Sequence, residues 1–134
     1  MRRAVALLCA AALFACGGDE GSAEELCAAV REQPALTNAF AGFDTTDTER
    51  ALEQLRAARI TLGELRDAAP SEVRADLTVE IDYVQDLIEG LEAVDGRDTS
   101  VTVAVVQQIT DEHPDVGQAA ADLAAFADES CSVP

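Results

Sequence analysis

The chain has 134 residues and sets 26 aspartates and glutamates against nine arginines and no lysine, a formal charge of −17. A surface that acidic repels phosphate backbones and anionic headgroups, which excludes nucleic acid as a partner and excludes electrostatic adsorption to lipid. The length suits one domain able to bury its own core.

The N-terminus comes first in chain order. Arg2 and Arg3 precede an apolar run from Ala4 to Phe14, and Ala15 is small, so residues 1–15 read as a secretory signal. Coiled as a helix, a dozen such residues reach about 18 Å, short of a hydrocarbon core of roughly 30 Å, so the run does not span. Leu13-Phe14-Ala15-Cys16 resembles the lipobox of bacterial lipoproteins, with an aliphatic residue at the third position before the cysteine and a small one directly before it. The resemblance implies that the Cys16 thiol carries a diacylglyceryl group, that the signal is removed before Cys16, and that its lipid holds the protein on a membrane. Two or three acyl chains anchor firmly, at about 0.8 kcal/mol per buried methylene. Phe14 is a less usual occupant, and an ordinary secretory signal with Cys16 left as a free thiol is the alternative.

Residues 16–22, the lipidated cysteine followed by Gly17-Gly18-Asp19-Glu20-Gly21-Ser22, read as a short acidic tether, and residues 23–134 as one helical domain. The mature chain keeps seven arginines against all 26 acids, a formal −19. Cys9 leaves with the signal and Cys16 is lipidated, so Cys27 and Cys131 remain and are expected to pair in an oxidising compartment.

Ser22 and Glu25 have capping-box spacing and open a first helix toward Pro34, with Leu26, Cys27 and Val30 inward. Phe40 and Phe43 add apolar weight to the turn or loop after it. Thr46 and Glu49 repeat the capping spacing and open a second helix to about Ala68, with Leu52, Leu55, Leu62 and Leu65 on one side. Pro70 and Ser71 break it and begin a third, whose stripe is Val73, Leu77, Ile81, Val84, Ile88 and Leu91, with Asp95-Gly96 as its stop. Val101 to Val106 favours a strand by composition, but a lone strand would leave backbone groups unpaired, and Val101, Val105 and Ile109 fit a helical face; a fourth helix is expected. A last helix begins near Pro114, carries Val116, Ala120, Leu123 and Ala127 inward with Phe126 beside them, and reaches Cys131. The fold class is therefore all-α, a bundle of four to five helices, with one disulfide joining the first helix to the C-terminus.

The second helix carries Arg50, Arg56, Arg59 and Arg66, and the third carries Glu72, Asp76, Glu80, Asp82, Asp86, Glu89 and Glu92, which suits antiparallel neighbours. No residues stand out as a nucleophile with its base, so no catalytic residue, no enzymatic activity and no cofactor is assigned. One histidine and two oxidised cysteines cannot build a transition-metal site. For hard cations the candidates are Asp82, Asp86 and Glu89, at helical spacing, and the group Asp44, Asp47 and Glu49; a solvated acidic face is the competing account of both. His113 stands at a helix boundary, where a surface role is expected. His113-Pro114-Asp115 matches the loop tripeptide of J-domain co-chaperones, but the helix before it there is basic, whereas Gln107, Gln108, Asp111 and Glu112 precede it here.

As a whole, the lipobox, the early and terminal cysteines and the Ala69-Pro70 break resemble small disulfide-linked helical lipoproteins of high-GC bacteria, most of them without an assigned function. The reading that follows is a non-catalytic interaction module, lipid-anchored on the extracytoplasmic face of the cell membrane, that presents an acidic helical surface to an envelope protein or polymer. A small-ligand or divalent-cation binder is the alternative. In a two-membrane cell, Gly17 after the lipidated cysteine leaves open which membrane carries it.

Overall fold

A computed structural model describes residues 21–32, 46–94 and 98–131. Among them are five helices and no strand: α1 (Ala23–Glu32), α2 (Thr48–Ala68), α3 (Ser71–Glu92), α4 (Thr99–Glu112) and α5 (Val116–Cys131). The expected all-α bundle is what forms, and the Val101 to Val106 stretch is helical within it.

Helix starts follow from side chains that satisfy free backbone N–H groups. At α1 the capping box closes in both directions, with Glu25 N–H donating to Ser22 Oγ at 3.1 Å and Ser22 N–H donating to Glu25 Oε2 at 3.1 Å. At α2 the cap is Asp47 rather than the expected Thr46, because its carboxylate accepts the Arg50 N–H at 3.1 Å and so reaches the third helical residue. Asp98 caps α4, accepting from the N–H groups of Ser100 and Val101 and from the Ser100 hydroxyl. These bonds favour its ionised form and hold its carboxyl below the usual aspartate range. Helix α3 follows Pro70 directly and ends at Glu92, short of the expected Asp95-Gly96 stop, which lies outside the described residues. Phe40 and Phe43 also lie outside them.

Helix α3 is the axis of the bundle. Its residues Val73, Leu77, Val84, Leu87, Ile88 and Leu91 are buried against Leu55, Leu62 and Leu65 of α2 and Ile109 of α4, while Ile81 is only half-buried. Helix α2 runs antiparallel to it, as the Arg56–Glu92 ion pair at 2.6 Å and the Arg59–Gln85 hydrogen bond show. The expected charge compensation between these helices is thus real at Arg56, on two half-exposed side chains where such a pair contributes about 0 to 1 kcal/mol.

Helices α4 and α5 share the remaining side of α3. Gly90 of α3 lets α4 approach closely: a Cβ there would stand 2.5 Å from Ile109 Cδ1 and 3.0 Å from Val105 Cγ1. Toward the N-terminus of α3 the neighbour becomes α5, whose Asp122 acts on Asp76. Both helices therefore run opposite to α3, one after the other, with the corner at His113-Pro114-Asp115.

One position on each of two expected inward faces is displaced by one residue, while Val105, Ile109 and Leu123 pack inward as expected. On α4 the buried positions are Thr102 and Ile109, with Val105 and Val106 partly covered, while Val101 is 43% exposed. A threonine can occupy the core because its hydroxyl donates to Asp98 O within its own helix. On α5 the buried alanine is Ala119, not Ala120, and it continues through Leu123 and Phe126 at steps of four and three.

Helix α1 lies against α2 and α5 and contributes Leu26 and Cys27 to the interior. Cys27 and Cys131 are disulfide-bonded, with Cα atoms 5.2 Å apart and a sequence separation of 104. Closing a loop of that length restricts the unfolded chain by an amount worth about 4 to 5 kcal/mol in the loop-entropy model.

Candidate functional site

Of the residues that sequence reasoning marks, Cys27 and Cys131 are brought together and Cys16 lies outside the described residues. Asp82, Asp86 and Glu89 stay on one exposed side of α3 but are drawn to different partners. Asp86 bonds to His113, and Glu89 accepts from Gln85 Nε2 at 2.6 Å. Asp47 is occupied as a helix cap, and Asp44 lies outside the described residues. No group of three or more His, Cys, Asp or Glu side chains among the described residues converges as metal ligands. Helical spacing puts Asp82, Asp86 and Glu89 on one face, where a histidine engages Asp86 and an amide engages Glu89.

The most organised polar group is at the corner between α4 and α5. His113 caps the C-terminus of α4 and turns its ring back onto α3, where Nε2 lies 2.7 Å from Asp86 Oδ2. A carboxylate only accepts, so the Nε2–H donates. The ring meets Tyr83 edge-on, with centroids 5.5 Å apart. Tyr83 in turn bonds to Thr110 at 2.9 Å, and since the Thr110 hydroxyl gives its proton to Val106 O, the tyrosine is the donor. Four side chains thus lock the end of α4 to the middle of α3. The histidine side chain is only 18% exposed, which corrects the expected surface role.

Chemically, Asp86 and His113 have the relation of an orienting carboxylate to an imidazole. Among the described residues no serine, threonine or cysteine side chain is hydrogen-bonded to His113, and the pair joins the end of α4 to α3. The tripeptide shared with J-domain co-chaperones does connect two helices, but its histidine is engaged within the chain.

Sequence reasoning missed Glu80. It was grouped with the acids that face α2, yet it is 5% exposed, and no hydrogen bond or ion pair reaches its carboxylate among the described residues. Burial pushes its carboxyl above the usual glutamate range. Asp76, one turn earlier, is raised as well, by burial first and by the Asp122 charge second. The other acids of α3, Glu72, Asp82, Asp86, Glu89 and Glu92, are exposed, as are Asp122, Asp128 and Glu129 of α5.

Compared with known protein families, with curated proteins and with solved structures, the chain matches none. Its function therefore rests on its own residues.

Proposed function

We propose that the protein is a lipid-anchored module of the extracytoplasmic face of the cell membrane, non-catalytic, offering an acidic helical surface to an envelope protein or polymer. The observation that carries this reading is Leu13-Phe14-Ala15-Cys16 behind Arg2, Arg3 and an apolar run. Two further features support it. The disulfide between Cys27 and Cys131 fits an oxidising compartment, and the exposed acids of α3 and α5 form the charged surface that a cationic partner would meet.

The test is metabolic labelling with a fatty acid in a bacterium that processes lipoproteins, followed by cross-linking and recovery of partners. The natural chain takes up label and Cys16→Ala does not, and a partner recovered with the natural chain is lost with the variant. Equal labelling of the two overturns the anchor. Labelling without any partner in either form leaves a lipoprotein and refutes the interaction module.

A further inference from the structure

We infer that the bundle stands on end on its membrane, with the corner between α2 and α3 nearest the bilayer and the start of α4 farthest from it. This rests on lipidation at Cys16. Gly21 is the residue that decides it: a Cβ there would run into the carbonyl of Ala68 and meet Ala69 N at 2.8 Å, so the incoming chain lies directly on the C-terminal end of α2. Ser22 then caps α1, and the disulfide to Cys131 clamps that helix in place. Gly21 and Ser22, the last two residues of the expected tether, are therefore part of the packed domain. Only residues 16–20 separate the lipid from the fold, and five residues extend to at most about 17 Å.

The antiparallel order of α2 and α3 puts Ala68, Ala69, Pro70 and Ser71 at this anchored end. It puts Asp47, Val94 and Asp98 at the other, the length of α3 away, about 33 Å for its 22 residues. A tether of about 17 Å cannot bring that far end to the bilayer unless the bundle lies on its side. Charge opposes lying down, because a mature chain of formal charge −19 is repelled by anionic headgroups, and a body held at one end reduces that repulsion by pointing outward. An upright bundle consequently leaves its long sides, with the exposed acids of α3 and α5, clear of the bilayer for a partner.

Energy transfer to the membrane reads this orientation. The lipidated protein, with a donor dye on Ser71→Cys or on Thr99→Cys, is placed in phosphatidylglycerol and phosphatidylethanolamine vesicles that contain an acceptor lipid, and flotation confirms attachment. The expected result is stronger transfer from position 71, with a distance of closest approach about 30 Å shorter than from position 99. Equal distances, or a shorter one from position 99, overturn the orientation while leaving the anchor intact. A chain that takes no lipid label and does not float overturns both.

Discussion

Replacing Glu80 by glutamine should stabilise the protein at neutral pH, which is the reverse of what most substitutions at a buried site do. The side chain is 5% exposed, lies on the core stripe of α3 between Leu77 and Val84, and has no ion-pair or hydrogen-bond partner among the described residues. An ionised group in such a place loses part of its hydration, at a cost of about 1 kcal/mol, and glutamine keeps the shape while removing the charge. The gain depends on pH in a definite sense. Glu80 is raised above its ordinary value in the folded protein, so as pH rises from that ordinary value, about 4.3, the unfolded chain gives up its proton first and the folded state loses stability until its own carboxyl has ionised. Below the ordinary value both states hold the proton, and natural protein and variant should differ little. Urea unfolding at pH 7 and at pH 4, compared as the difference between the two proteins, cancels the shared effect of the other acids. The expectation is a variant about 1 kcal/mol or more stronger at pH 7, a rise of several degrees in melting temperature for a domain of this size, with the advantage shrinking toward pH 4. A Glu80→Gln protein weaker than the natural one at pH 7, by a margin that does not change with pH, would refute the reasoning, because it would mean that the carboxylate has a partner it needs.

Glycine provides a matched pair of tests. Gly21→Ala should cost stability and loosen α1, since its methyl group meets backbone at Ala68 rather than a movable side chain, whereas Gly63→Ala, with open space around the added carbon in the middle of α2, should gain about 0.5 to 1 kcal/mol; thermal unfolding of the two variants checks both signs. Cys27→Ser should lose several kcal/mol of stability and leave Cys131 reactive to maleimide without reduction, and an unreactive Cys131 would count against the pairing. His113→Ala should cost about 1 kcal/mol, a figure kept low because the Asp86 side chain is half-exposed, and should speed amide exchange in the last turn of α4 more than in α2.

How far the fold can be read from the sequence depends on which physical rule each feature obeys. Helix positions were legible because periodicity and breakers are local: the apolar stripe of α3, the Ala69-Pro70 break and the Ser22 capping box are each contained within a few residues. The disulfide followed by elimination among four cysteines. One-residue errors in the inward faces of α4 and α5 have a common origin, since hydropathy chose Val101 over Thr102 although the threonine hydroxyl is satisfied by Asp98 O, and on α5 one alanine looks like the next until packing against α3 selects Ala119.

The polar groups were harder for a different reason. With 26 acids in the chain, composition makes every carboxylate look alike, and only packing separates a cap such as Asp98, a joint such as Asp86 and a buried charge such as Glu80 from the solvated remainder. Glu80 did carry a local signal, because it stands three residues after Leu77 and four before Val84, a helical spacing as good as the four and three that place Ile81 on the stripe; hydrophobicity decided in favour of the isoleucine, yet the glutamate is the more buried of the two. His113 carried none, since its partner is 27 residues earlier on another helix. The pairing exists because α4 returns antiparallel along α3 and brings its C-terminal cap beside the middle of that helix, so it could be inferred only after the order and sense of the helices were known.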